Sequence, residues 1–310
     1  MNLPEGAQWL DEVSFPCKTV LTIGVLDGVH LGHQCLLREV VSRAKEIGGC
    51  SGVLTFEPHP LKAVAPGVEI SYLTTLQDRV RLIKEQGVDL VAVLHFTREI
   101  SHMSPEEFIN LLLDHINMVE LRVGPDFALG YRRSGTIPVL AEIGERRGFT
   151  VHAIPPVKIE GKVVSSTEIR RLFSDGMVKE AARLLGRNPF LVGKVVSGFH
   201  RGRTIGVPTA NLESSHNLII PAEGVYAVYV YFDGQKWPGV VSIGRHPTFE
   251  DAGKRTVEAH ILGFDGDLYD KVLQIEFIER LRDEKRFADV EHLVRQIHND
   301  IEQAKVILGR

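Results

Sequence analysis

The hydrophobic rhythm of this chain changes near residues 187–189, and that change limits the available folds more than any other feature. Ahead of it, short apolar runs alternate with stretches whose apolar residues recur every three or four positions. Thr19–Ile23, Ser51–Phe56, Leu90–Leu94, Leu121–Val123 and Thr150–Ile154 read as buried strands, with helices predicted over His33–Ile47, Leu76–Gln86 and Glu106–Ile116. Such an order predicts right-handed crossovers and a parallel sheet. The hydroxyls of Ser165, Ser166 and Thr167 are suited to cap a helix that stops near Gly176, and a second helix covers Val178–Leu185.

Arg187-Asn188-Pro189 breaks this pattern. Short strands follow at Leu191–Val196, Gly224–Phe232, Gly239–Ile243, Val257–Ile261 and Val272–Phe277, with Asp233-Gly234 and Asp265-Gly266 as hairpin-type turns. That crowding predicts a small antiparallel barrel. Apolar residues at helical spacing from Phe287 to Leu308 predict a closing helix packed on it. At 310 residues the chain exceeds one ordinary core, so two domains are expected, 1–186 and 187–310.

Composition removes several function classes. With 44% hydrophobic and 25% charged residues the chain is globular, and a formal charge of -4 supplies no general field for polymeric nucleic acid. The first residues do not resemble a secretion signal, and no apolar run reaches membrane-spanning length. Three cysteines, Cys17, Cys35 and Cys50, lack CxxC spacing, so reduced thiols and a cytoplasmic home are expected. His102, His115, His216 and His298 are scattered without zinc-ligand spacing.

Two glycine-punctuated segments carry the chemistry. The first, Gly24 to His33, follows a predicted strand and puts His30 and His33 at a helix start, where anions are favoured. Three positions apart, the two imidazoles share a face and are able to donate to one phosphoryl group. The competing reading is a histidine pair that only caps the helix. Gly24-Val25-Leu26-Asp27-Gly28-Val29-His30-Leu31-Gly32-His33 resembles the GxFDGVHxGHQ motif of bacterial FAD synthetases, within the nucleotidyltransferase superfamily. Phe56–Pro60, Val123–Gly130 and Ser165–Arg170 resemble that family's FxPHP, VGxDFxFG and SSTxIR segments in the same order. The resemblance implies that Gly24, His30, His33, Ser166, Thr167 and Arg170 bind ATP, and that His59 and Asp126 face the flavin. Leu26 and Leu129 stand where the motifs usually carry Phe. His59 also reads as a loop residue between rigidifying prolines.

In the second segment, Gly198, Gly202 and Gly206 permit a backbone that cradles phosphate beside Arg201 and Arg203, while Thr209 and Asn211 offer oxygens to a hard cation. On its own, Pro208-Thr209-Ala210-Asn211 also reads as an ordinary turn. The whole stretch resembles the GxVVxGxxRGRxLGxPTANL signature of riboflavin kinases, and the likeness continues to the end of the chain through Val257–Leu262 and Arg282–Phe287. It implies that Gly198, Arg201, Gly202 and Arg203 bind ATP, Thr209 and Asn211 bind Mg2+, Glu258 is the general base, and Arg282, Glu284 and Phe287 bind flavin. Ser242, His246 and Gly263 depart from the residues usual at their positions.

Together the resemblances imply an α/β Rossmann-like nucleotidyltransferase domain with a parallel sheet, then a small antiparallel riboflavin kinase barrel with a C-terminal helix. The implied reactions convert riboflavin to FMN and FMN to FAD, each with ATP and Mg2+. The alternatives are a chain retaining one activity and a flavin-binding regulator without turnover.

Overall fold

A computed structural model describes residues 3–65, 67–197, 207–214, 217–245 and 255–309. The chain divides into two compact units, Met1–Ile70 with Thr74–Ser166 and Ser71–Leu73 with Thr167–Arg310.

The first unit contains strands β1 (Gln8–Trp9), β2 (Phe15–Ile23), β3 (Cys50–Glu57), β4 (Leu90–His95), β5 (Ile116–Val123), β6 (Ala128–Leu129), β7 (Gly135–Thr136), β8 (Thr150–Ala153), β9 (Lys158–Ile159) and β10 (Lys162–Val163). Its helices are α1 (Leu31–Glu46), α2 (Pro60–Val64), α3 (Leu76–Lys84), α4 (Arg98–Ser101), α5 (Pro105–Leu113) and α6 (Ile137–Arg147). Six strands pair in parallel in the order β1-β4-β3-β2-β5-β8. After β2 the chain fills one side with β3 and β4, then crosses to the other with β5. The crevice outside the carboxyl ends of β2 and β5 is therefore the topological switch point, where ligands bind in such sheets.

Val20, Leu21, Val53, Leu54, Ala92 and Val93 are all fully buried. Their unbroken apolar runs are what a sheet covered on both faces requires. On α1 the buried Leu37, Val40 and Ala44 recur at helical spacing, and each large aliphatic side chain so buried contributes about 1.5–3 kcal/mol.

The second unit begins with α7 (Ser166–Ser174) and α8 (Val178–Leu185), then β11 (Phe190–Val196), β12 (Ala210–Ser214), β13 (Gly224–Phe232), β14 (Gln235–Arg245), β15 (Arg255–Ile261), β16 (Val272–Arg282) and a closing helix α9 (Val290–Ile307). The strands form a closed barrel in the order β11-β12-β15-β14-β13-β16. Asp233-Gly234 joins β13 to β14 with both residues left-handed, at φ 49° and 72°, the backbone that a two-residue hairpin demands. Val225, Ala227 and Val240 pack beneath Ile301 and Ala304 of α9 and Leu308 at its C-terminal cap.

The pattern break at 187–189 marks the end of α8, whereas compact packing divides the chain at 166/167. The helices preceding the break rest on the barrel: Phe173 meets Phe277 edge-on with ring centroids 5.5 Å apart, and Lys179 pairs with Glu279 at 2.6 Å. Asp265-Gly266 is not a hairpin turn, because β15 and β16 are not neighbours in the barrel and the segment between them is a longer loop. The closing helix starts at Val290 rather than Phe287, since the Asp289 side chain accepts the His292 amide at 2.9 Å and caps it. The reduced-thiol expectation is also corrected. Cys17 and Cys50 form a disulfide with Cα atoms 6.0 Å apart, and Cys35 is the free cysteine.

Candidate active site

In the first unit the motif residues converge at the carboxyl edge of the sheet. Gly24 follows β2 and its amide donates to the Leu54 carbonyl at 3.0 Å. His59 follows the neighbouring β3, and Asp126 follows β5 on the other side of β2. His30 is 5% exposed and caps α1, with Nδ1 accepting the His33 amide at 3.3 Å. Because Nδ1 accepts that amide, the neutral ring carries its proton on Nε2. The His30 and His33 rings stack with centroids 3.6 Å apart and planes 18° from parallel. Gly32 makes the stack possible, since a Cβ there would lie 3.0 Å from His30 Cε1.

The loop carrying these groups is held in an uncommon backbone. Leu26 and Val29 have φ of 52° and 37°, values that side-chain-bearing residues rarely adopt unless neighbouring structure enforces them. The enforcing contacts lie far away in sequence. Asp27, 2% exposed, accepts from the Thr74 amide at 3.1 Å and from Thr74 Oγ1 at 3.2 Å, while Thr74 Oγ1 accepts the Gly28 amide at 3.2 Å. Ser166 Oγ donates to the Asp27 carbonyl at 2.9 Å. Arg79, 1% exposed, donates through Nη1 to the Val25 carbonyl at 2.9 Å and Thr55 Oγ1 at 3.2 Å, and Glu57 balances its charge at 3.5 Å.

Sequence reading missed Thr74 and Arg79. Their only local signal is membership of a helix start and helix, since Thr75 caps α3. Thr74→Val is expected to remove the hydroxyl that bridges the Asp27 carboxylate and the Gly28 amide while keeping the residue-74 amide bond to Asp27, at a cost of about 1–3 kcal/mol. Adenylyl transfer is expected to fall roughly tenfold or more as the loop loses its geometry. Thermal unfolding and separate assays of the two reactions check this, and an unchanged adenylylation rate would show that the clasp has no bearing on the site.

His59 caps the short α2, its Nδ1 accepting the Leu61 amide at 3.1 Å. Asp126 is exposed, and its carbonyl accepts from Arg133 Nη2 at 2.8 Å. Thr167 and Arg170 lie on α7 and belong to the second unit. Leu26 and Leu129, which replace aromatic residues of the motifs, are both buried.

In the second unit, two cavities meet at Thr209. One of about 280 Å³ is lined by Val195, Thr209, Asn211 and the 264–269 loop. The other, about 430 Å³, is lined by Thr209, Ser242, Glu258, Arg282, Glu284 and Phe287 and walled by Leu293, Ile297 and Asp300 of α9. Register explains the meeting: Asn211 on β12 faces Glu258 on β15, which faces Ser242 on β14. Side chains opposite one another share a sheet face. Along β15, Val257, Ala259 and Ile261 are buried while Thr256, Glu258 and His260 are only partly so, leaving the polar alternates to the cavity. Thr209 Oγ1 donates to Glu258 Oε2 at 3.3 Å.

Partial desolvation pushes the Glu284 carboxyl above the ordinary carboxylate range, against the pull of the Arg282 guanidinium. Glu284 is an exposed residue, so solvent screening keeps the effect modest. Gly198, Arg201, Gly202 and Arg203, together with His246, lie outside the described residues.

A switch-point crevice with paired imidazoles in one unit, and in the other a closed barrel whose carboxylate accepts from a hydroxyl shared by two cavities, are arrangements suited to a phosphate-handling transferase. The comparisons with known proteins agree. A family model described as FAD synthetase matches residues 13–168, and one described as riboflavin kinase matches 185–308. The chain belongs to the bifunctional riboflavin kinase/FMN adenylyltransferase family. It is 39% identical over 289 residues to the Pseudomonas fluorescens protein of that name, covering 93% of this chain and 92% of the relative. It is 34% identical to the Listeria monocytogenes protein, covering 98% and 95%, and 36% identical to that of Escherichia coli K12, covering 94% and 93%. A crystal structure described as a macrolide-efflux protein from Streptococcus pneumoniae superposes with a TM-score of 0.89 at 31% identity, covering 98% of both chains. No described helix of the present chain is long and apolar enough to cross a membrane.

Proposed function

We propose that this chain's two reactions are divided between its two nucleotide sites, residues 1–186 carrying adenylyl transfer and residues 187–310 phosphoryl transfer. The reactions themselves are those of the family: riboflavin is phosphorylated by ATP to FMN, and FMN is adenylylated to FAD with release of pyrophosphate. The observation that carries the division is the separation of machinery, with stacked imidazoles at the sheet edge and a carboxylate on the barrel.

In the kinase site Glu258 takes the proton from the terminal ribityl hydroxyl as its oxygen attacks the γ-phosphorus of ATP, and the bond to the β,γ-bridging oxygen breaks. The hydrogen bond from Thr209 orients the Glu258 carboxylate. Arg282, Glu284 and Phe287 face the flavin. Gly198, Arg201, Gly202 and Arg203 are assigned to the ATP phosphates by the family motif alone. In the adenylyl site the FMN phosphate is already anionic and needs no base. It attacks the α-phosphorus while His30 and His33 stabilise charge on the phosphates, and pyrophosphate departs. Gly24 lets the backbone approach the nucleotide, and the motif assigns Ser166, Thr167 and Arg170 to the same ligand, with His59 and Asp126 on the flavin side.

Mg2+ suits the kinase donors. Thr209 and Asn211 present neutral oxygens beside a carboxylate, a hard set that leaves room for nucleotide oxygens and water. When bound, the ion withdraws charge from the phosphate oxygens. Cytoplasmic residence belongs to the same reading, because both reactions draw on the ATP pool.

Incubation with riboflavin, ATP and Mg2+, followed by chromatography, tests the whole. FAD is expected, and excess EDTA is expected to stop both steps until Mg2+ is restored. FMN as the sole product would leave only the kinase, and unchanged bound riboflavin would leave a regulator.

A further inference from the structure

We propose that Asp300, on the closing helix α9, is a positioning residue of the kinase site, fixing the Arg282 guanidinium so that its remaining N–H groups select the flavin ring. The proposal rests on reading the larger barrel cavity as the riboflavin site. Asp300 is 2% exposed, and both it and Arg282 line that cavity.

The contact is a directed clamp. Arg282 Nε donates to Asp300 Oδ1 and Oδ2, each at 3.0 Å, and Nη2 donates to Oδ2 at 2.9 Å. Gln296, one turn earlier on α9, donates to Oδ1 at 2.8 Å and steadies the carboxylate. Arg282 Nη1 donates to the Asp283 carbonyl at 2.9 Å, and the guanidinium carbon lies 5.7 Å from the Phe287 ring centroid. A guanidinium has five N–H groups in a rigid plane. These bonds use Nε and one N–H on each Nη, so one N–H on each terminal nitrogen is without a protein acceptor among the described residues.

Two features turn this arrangement toward recognition. A buried ion pair is a poor device for stability, because desolvation offsets most of the attraction, so its place in a cavity wall calls for another role. Pairing also neutralises the Arg282 charge. An unpaired guanidinium would draw phosphate into the cavity, whereas a paired one is a planar, directional donor suited to the carbonyl and ring-nitrogen acceptors of an uncharged isoalloxazine. The closing helix thereby contributes to substrate choice as well as covering the apolar face of the barrel.

The test uses the full chain, with steady-state riboflavin phosphorylation and adenylylation of supplied FMN measured separately. Asp300→Asn is expected to raise the KM for riboflavin about tenfold, the scale of one charge-assisted hydrogen bond. The KM for ATP and the FMN adenylylation rate are expected to stay unchanged. Gln296→Met, which leaves the ion pair in place, is expected to move the riboflavin KM in the same direction by a smaller factor, and carries the test if Asp300→Asn does not fold. Equal rises in both KM values, or an unchanged riboflavin KM in the folded variants, would overturn the proposal and leave the pair a structural one. A parent protein that leaves riboflavin unphosphorylated removes the kinase reading itself, an outcome visible before any variant is made.

Discussion

FAD formation is expected to stop in the His30→Ala protein while FMN continues to accumulate from riboflavin. Loss of one preorganised donor to a developing anionic centre lowers turnover roughly 10²–10³-fold. His30 also caps α1, so alanine costs about 1 kcal/mol of stability in addition. His30→Asn separates the two effects, because asparagine is a good cap without an imidazole. That variant is expected to melt with the parent yet remain as defective in adenylylation as His30→Ala. Recovery of FAD synthesis by His30→Asn would reduce the histidine to a structural cap.

The Glu258→Gln protein is expected to show the reverse selectivity. Removing a general base costs roughly 10²–10⁴-fold, so FMN formation from riboflavin falls by that order while supplied FMN is still converted to FAD. Glutamine retains the shape of the side chain and an oxygen able to accept from Thr209, whose hydroxyl donates to Glu258 at 3.3 Å. Equal loss of both reactions would contradict separate sites, and undiminished phosphorylation would require another proton acceptor.

Much of the candidate chemistry was legible because its signals are local. The strand, glycine turn and helix around His30 and His33 occupy consecutive residues, and the polar groups of Thr209, Asn211 and Glu258 were recognisable from motif context. Helix α6 was missed although Pro138 stands in its first turn and Gly148 ends it with a left-handed backbone, both ordinary helix signals. Strand β12 is absent from the strands read in the sequence, since its five residues offer little periodicity.

The remainder was not legible because it depends on pairing across distance. Thr74 meets Gly28 and Asp27 only once β2 and the start of α3 are brought together, 46 and 47 residues apart. Cys17 and Cys50, separated by 33 residues, become neighbours through the pairing of β2 with β3. Arg282 was expected at the flavin site, but the helical carboxylate that holds it was not.

What the sequence determined by itself was the fold class of each half, because hydrophobic period and turn residues act over a few positions, and its local motifs nominated the candidate reacting groups. Only the tertiary structure decided which side chains hold those groups in working geometry, how Asn211, Glu258 and Ser242 align across three strands, and that the last helix walls a cavity. Those outcomes depend on strand register and on satisfying buried polar groups, whose partners are chosen in space and leave no regular trace along the chain.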